Sequence, residues 1–267
     1  MFTLFFRVIK LSGVVWIMTL FLSCSESDDI TPDIDDQPSI GQNPVPTITI
    51  NLDSLKSTSI INFSATTLSL NGNVQSFTST DSLTGFLFNS EGGGINCDPE
   101  GDFLQIDSIG PIWEEGLTVT AWVTFDDARN FERIIDFGNG RGPDFGQNIA
   151  LSRRDTSNSI VFSHWINSNQ SDVQGVTAFD VITTGQSIFV AASISGEGLM
   201  SIYVNGELKN QNDRQPLANV GRHSNFIGRS NWCELDPDFK GIIEDLNIFN
   251  YELSQDAVLE LFKERQF

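Results

Sequence analysis

The ten residues Gly116 to Phe125, GLTVTAWVTF, constrain the chain most. Leu117, Val119, Ala121, Val123 and Phe125 alternate with Thr118, Thr120, Trp122 and Thr124. A period of two puts the first set on one side of a pleated strand and the second on the other. The expected element is an antiparallel strand with one buried face and one half-exposed face. Similar runs recur at Thr47 to Asn51, Thr84 to Phe88, Phe103 to Ile106, Arg133 to Phe137, Asn148 to Arg153, Ser159 to Ile166 and Ile188 to Ile194, and Ser57 to Leu70 holds one or two more. Gly and Asn punctuate them, as at Asn71-Gly72, Gly92-Gly93-Gly94 and the loop 138–146. No helix-period segment occurs before Ser254. The chain is therefore expected to be all-β, with about a dozen strands.

The C-terminal stretch Gly198 to Leu253 fixes the order of the last strands. Met200, Ile202 and Val204 alternate with Ser201 and Tyr203, and Asn205-Gly206 follows, a dipeptide suited to a two-residue hairpin. Asn225 to Arg229 is the next strand. Lys240 to Phe249 closes the sheet, with Ile242, Leu246 and Ile248 expected on one face and Ile243 and Phe249 on the other. From Ser254 to residue 266 a short helix is expected. Ser254 is its N-cap, Asp256 lies in the first turn, Lys263 and Arg265 lie in the last, and Val258, Leu261 and Phe262 form its buried stripe.

The order of a YVNG turn, a short IGRS strand and an FKGIIEDLNIFN strand closed by YELS resembles the C-terminal half of laminin-G-like domains of the concanavalin-A-like lectin/glucanase superfamily. LTVTAWV is similar to the (S/T)-A-W-V strand of those domains. The resemblance covers Phe103 to Leu253 well and Pro46 to Gly101 loosely. It implies a two-sheet antiparallel jelly-roll sandwich and a binding or glucanase function, without naming a ligand.

The N-terminus reads as targeting. Arg7 and Lys10 precede an apolar run, Leu11 to Leu22, which is short for a membrane span of ~20 residues and suits a signal-peptide core. It ends in Phe21-Leu22-Ser23-Cys24, which resembles a bacterial lipobox with Phe21 where an aliphatic residue is usual. Residues 1–23 are thus expected to be a lipoprotein signal and Cys24 the acylated residue. Residues 24–45 form an acidic linker with too little apolar surface to fold. Its SESDDITPDIDDQP resembles the surface-export signal of Bacteroidetes lipoproteins; a plain solvated spacer is the alternative. The domain proper is residues 46–267. The expected location is the outer membrane, surface-exposed and held by lipid alone.

Charge narrows the partners. The chain of 267 residues carries a formal net charge of −20. Nucleic acid and anionic lipid both require clustered Lys and Arg, so neither is an expected partner. With Cys24 acylated, Cys97 and Cys233 remain in an oxidising compartment and are expected to pair.

Chemistry is then weighed by residue type. The superfamily's glucanases set two carboxylates in an E-x-D-x-x-E-like motif, which is absent here. Glu132 and Asp136 lie four residues apart, ~13 Å along a strand, outside either glycosidase spacing. Glu244 and Asp245 are neighbours in the closing strand, expected on opposite faces. His164 and His223 are too few for a zinc site, and Ser163 and His164 diverge on one strand, which excludes a nucleophile–base pair. The loop Asn139 to Asn148 offers Asn139, Asp144 and Asn148 as hard oxygen ligands. The resemblance implies calcium near there, bound by an acid where this chain has Gln147. For a sugar, the expected first set is Trp232 with Asn231 and Arg229, and the second Trp165 with His164. The competing reading makes IGRS a structural signature with its arginine tied to the closing strand. Trp122 is either a platform or a ring beneath a crossing segment. Three functions follow: a non-catalytic module for carbohydrate on a surface lipoprotein; an adhesive or structural lipoprotein binding another protein; and a glycoside hydrolase.

Overall fold

The computed structural model describes residues 58–62, 68–89, 101–140, 147–166 and 172–265. All of them belong to a compact unit that spans residues 48–267. The strand expected at Thr47 to Asn51, the targeting segment, the linker and the triple glycine lie outside the described residues.

Fifteen strands and one helix occur among the described residues. They are β1 (Ile61–Asn62), β2 (Ser69–Asn71), β3 (Gln75–Thr78), β4 (Thr84–Phe88), β5 (Phe103–Ile106), β6 (Gly116–Phe125), β7 (Arg133–Gly138), β8 (Ile149–Arg153), β9 (Ile160–Trp165), β10 (Val173–Ala178), β11 (Ser187–Ser195), β12 (Leu199–Val204), β13 (Glu207–Asp213), β14 (Ser224–Ile227), β15 (Gly241–Phe249) and α1 (Gln255–Lys263). An eight-stranded sheet runs β13-β12-β11-β6-β15-β4-β3, with β1 also paired to β15. A seven-stranded sheet runs β10-β9-β8-β7-β14-β5-β2. The ladders are antiparallel, and the two sheets form the jelly-roll sandwich. β3, β10 and β13 are strands that periodicity does not reveal. QSFT and ELKNQND are polar because they are edge strands with little core contact, and β10, also an edge strand, sends only Val176 and Ala178 of VQGVTA into the core.

The core lies between the sheets. Leu117, Val119, Ala121, Val123 and Phe125 of β6 enter it as their alternation requires, together with Phe137 of β7, Leu151 of β8 and Phe162 of β9. The other face of β6 is not half-exposed. Thr118 Oγ1 donates to Tyr251 O at 2.8 Å and accepts from Leu253 N at 2.8 Å, so the segment before the helix closes over it. Trp122 lies beneath α1, with its ring 5.8 Å from that of Phe262 and stacked on it. It is thus the covered ring and not the platform. The helix begins at the expected N-cap: Ser254 accepts from Ala257 N, and Ala257, Val258 and Leu261 are buried.

β15 departs from simple alternation. Its register against β6 shifts between Glu244 and Asn247, and Asp245 takes a left-handed φ of 46°. This bulge reverses the phase. Ile243, Leu246 and Ile248 therefore share the core, whereas Phe249 joins the cluster under the helix. The turn at Asn205-Gly206 has both φ angles positive, 52° and 77°, as a two-residue hairpin requires.

Candidate functional site

The outward face of the seven-stranded sheet holds a groove of about 350 Å³. In the β8–β9 ladder Ser152 faces Val161 and Ala150 faces Ser163. Leu151 and Phe162 point into the core, so alternation turns Ala150 and Ser152 outward with Arg154, and Val161, Ser163 and Trp165 outward beside them. From Val161 to Trp165 the floor runs ~13 Å. Val173 of β10, directly across from Trp165, extends it and is 46 % exposed.

One wall comes from the loop between β14 and β15. Gly228 adopts φ 80° and its carbonyl accepts from Phe239 N at 2.8 Å, which pins the loop's base. The carbonyl of Trp232 accepts from Leu235 N at 2.8 Å and Asp236 N at 3.0 Å, making a compact turn. This turn lays the Trp232 ring against Trp165, with centroids 4.7 Å apart and planes inclined by 34°. Trp232 is largely buried, while Leu235, at the mouth, is 71 % exposed.

A buried polar network holds that wall. Asp136, on the outward side of β7, is fully buried. Its carboxylate accepts from Arg133 Nε at 3.3 Å, Asn148 Nδ2 at 3.1 Å, Asn231 N at 3.0 Å and Asn231 Nδ2 at 2.8 Å. Arg133 also donates to Asp236 Oδ2 at 2.8 Å and to Phe131 O at 2.7 Å. Ser230 Oγ donates to Asp236 at 2.9 Å and accepts from Trp232 N at 2.9 Å. Burial pushes the Asp236 carboxyl above its usual range, against the opposing pull of Arg133. Both Asp136 oxygens are committed, so it has no free acceptor for a substrate.

The expected sugar-site residues separate into two groups. Trp165 and Trp232 meet in the groove. Arg229, Asn231 and His164 do not line it. Arg229 lies behind it, donating to both oxygens of Asp238 at 2.7 and 2.6 Å, with its guanidinium 3.7 Å over the Phe103 ring. This is close to the structural-signature reading, with the tie made just ahead of the closing strand. Asn231 is buried in the Asp136 network and also donates to Ser224 O at 3.0 Å. His164 is 1 % exposed on the inner side of β9. Burial, with the Arg222 and Arg214 charges, lowers its pKa to about 4.

The acidic residues also have structural duties. Glu132 precedes β7 and accepts from Arg153 Nε at 2.7 Å, both side chains fully buried. Glu244 pairs with Arg265 at 2.9 Å beside the helix. In the loop considered for calcium, Asn139 donates to Gly221 O and accepts from His223 N, both at 3.0 Å. Asn148 Oδ1 is buried without a hydrogen bond. Arg222 Nε donates to the carbonyl of Gln147 at 3.0 Å. Asp144 lies outside the described residues, so these residues contribute one uncommitted side-chain oxygen to such a site. Cys233 is engaged in a disulfide; Cys97 and Cys24 fall outside the described residues.

Three polar side chains lining the groove were not anticipated from sequence: Ser152, Ser163 and Arg154. Ser152 is 2 % exposed, yet its hydroxyl has no hydrogen bond among the described residues; the same holds for Ser163 and for the Arg154 guanidinium. The signal was available. Once Trp165 is set outward, period two sets Ser163 and Val161 outward with it and His164 inward.

An antiparallel two-sheet sandwich with an aromatic groove on one outer sheet face defines a jelly-roll module of the lectin-like class. The chain belongs to the concanavalin A-like lectin/glucanases superfamily, whose model matches residues 98–259, more than half of the chain. No curated protein matches it. Among solved structures it is similar to botulinum neurotoxin type C, with 15% identity and a TM-score of 0.55 over 81% of this chain and 54% of that one. The binding domain of botulinum neurotoxin DC gives 14% identity and 0.53 over 79% and 52%. That of serotype D gives 20% and 0.50 over 74% and 46%. The chain thus spans about half the length of these structures, and the likeness is one of fold.

Proposed function

We propose that this domain is a non-catalytic module that binds a carbohydrate chain in the groove between Trp165 and Trp232, displayed on the outer membrane by a lipid on Cys24. The observation that carries the reading is the company the tryptophan pair keeps. Sugars present apolar C–H faces and hydroxyl edges, so a site needs an aromatic ring and a few directed polar groups. Ser152, Ser163 and Arg154 supply those groups, and none of their side chains has a hydrogen-bond or ion-pair partner among the described residues. At about 350 Å³ the groove is at the small end of ligand pockets, suited to a short stretch of a saccharide.

The fold itself serves either kind of partner. Cell entry of botulinum neurotoxin type C is dependent upon interaction with two ganglioside molecules, and the DC binding domain is in complex with rat synaptotagmin II. The exposed Leu235 and Val173 at the mouth favour a protein partner as the second reading. Hydrolysis is not supported: among the described residues Asp236 is the one carboxylate lining the groove, and its neighbour Asp136 is buried and committed. The Cys97–Cys233 pairing belongs to this proposal, supported by the disulfide on Cys233. Alkylation of both thiols in the unreduced protein would remove it.

A polysaccharide panel tests the whole. The parent is expected to bind a glycan, and Trp165→Ala to weaken it at least tenfold with an unchanged fold. Full affinity in Trp165→Ala would place the site elsewhere. No binding on a broad panel, with capture of a surface protein, would favour the second reading.

A further inference from the structure

Every other arginine among the described residues gives its guanidinium to a carboxylate or to a backbone carbonyl. Arg133, Arg153, Arg229 and Arg265 pair with carboxylates, and Arg214 and Arg222 donate to carbonyls. Arg129 does both. Arg154 does neither. Its guanidinium rests over the Phe179 ring, 5.5 Å from the centroid, at the end of the groove away from Trp165. In a chain of net charge −20, with carboxylates abundant, an arginine left without one is informative. Asp155 and Asp180, next to Arg154 and Phe179 in the chain, form no ion pair with it.

The backbone beneath it is well fixed. Arg154 N donates to Ser159 O at 2.8 Å, and its carbonyl accepts from Ser157 N at 3.1 Å and Ser157 Oγ at 2.6 Å. The aromatic plate also explains an otherwise wasteful exposure, since Phe179 is 61 % exposed. A ring stacked on a guanidinium restricts its rotamers and leaves its N–H edge free. Along the outward face, Arg154 is followed by Ser152, with Ser163 diagonal to Ser152 roughly 7–8 Å away, and then by the tryptophans.

We infer that the saccharide bound in this groove is acidic, with a carboxylate or sulfate group held by Arg154, hydroxyls met by Ser152 and Ser163, and a ring face lying on Trp165. The inference rests on the glycan reading of the groove. The chain's overall negative charge does not oppose it at contact range. At physiological ionic strength charges farther than ~8 Å are largely screened, whereas a guanidinium meets two oxygens of a carboxylate or of a tetrahedral oxyanion through two parallel hydrogen bonds.

The test uses the folded domain and an array of neutral, uronate-bearing and sulfated oligosaccharides. Calorimetry then compares the strongest acidic binder with its neutral counterpart, the methyl ester or the desulfated form. The neutral form should bind roughly tenfold or more weakly. Arg154→Ala should erase that difference, Arg154→Lys should retain part of it, and Trp165→Ala should weaken both forms. The uronate and sulfate arms tell which anion is read. Melting midpoints within a degree or two of the parent establish that the Arg154 variants are folded, and Arg154→Gln serves if the alanine variant is not. Neutral and acidic forms binding equally, unaffected by Arg154→Ala but lost in Trp165→Ala, would overturn the acidic ligand and leave the groove standing. Affinity unchanged in both variants, or an array with no signal, would overturn both.

Discussion

Replacing Asp136 by alanine should loosen the wall that carries Trp232. The carboxylate is fully buried and accepts from Arg133 Nε, Asn148 Nδ2, Asn231 N and Asn231 Nδ2. Some of these donors keep an acceptor after truncation: Arg133 retains Asp236 and Phe131 O, and Asn231 Nδ2 retains Ser224 O. Asn148 Nδ2 and Asn231 N retain none among the described hydrogen bonds. Two buried unsatisfied donors at about 1–3 kcal/mol each, with a cation stripped of one of its two carboxylates, come to about 4 kcal/mol. That is a large share of the 5–15 kcal/mol typical of a folded domain. With a urea slope of about 3 kcal/mol/M, the unfolding midpoint should fall by roughly 1.3 M. Asp136→Asn keeps the shape but turns one acceptor into a donor facing other donors, so it should lose about half as much. Urea titration followed by tryptophan fluorescence gives the numbers. Asp136→Ala should also weaken glycan binding, because Asn231 N anchors the residue next to Trp232. A loss below about 1 kcal/mol with unchanged glycan affinity would refute the claim that this network holds the groove wall.

Four further outcomes are expected. His164 is neutral when buried, with a pKa of about 4 against 6.5 unfolded; the unfolded chain binds the extra proton first, so stability should fall by about 3 kcal/mol as pH drops from 6.5 to 4. His164→Gln should lack that part of the slope, and an identical pH profile in parent and variant would refute it. Mass spectrometry of the membrane fraction should find Cys24 as a lipid-modified N-terminus, and Cys24→Ala protein that stays membrane-bound would count against the anchor. If calcium is held by Asp144 and Asn148, millimolar calcium should raise the parent's melting midpoint through mass action, and an equal rise in Asp144→Ala would exclude the loop. No reducing sugar should be released from any glycan that binds; release that disappears in Asp236→Asn would show a working carboxylate where the described lining residues provide no second one.

The fold was legible because its strands announce themselves twice, through alternation and through turn chemistry. β4, β5 and β6 begin and end where periodicity puts them, and Asn205-Gly206 is a hairpin because both residues tolerate positive φ. What escaped has a local physical reason. A single left-handed residue, Asp245, reverses the phase of β15, and no pattern in IIEDLNIF marks it, since the apolar residues fit either phase. The hidden face of β6 depends on where a helix 130 residues later comes to rest, which is tertiary information. The candidate groove was legible in its two tryptophans and not in its polar lining. Trp165 and Trp232 stand among Asn, Ser and Arg, and proximity in sequence drew Arg229, Asn231 and His164 to them. Proximity in sequence is a poor guide in a strand, where a neighbour one residue away faces the other side. The same alternation that separates Ser163 from His164 as a catalytic pair also separates His164 from Trp165 as a binding pair. Loop residues carry the opposite hazard. Arg229 and Asn231 could point anywhere by pattern alone, and what decides their fate is the acceptors within reach. Asp238 and Asp136, both buried, need cations and amides more than a solvent-filled groove does, because an unpaired charge away from water is far more costly than an open hydroxyl beside it. The side chains left over for a ligand are therefore those the fold does not need. Among the described residues lining the groove, those whose polar groups the fold leaves uncommitted include Ser152, Ser163 and Arg154, on the same outward face as Trp165.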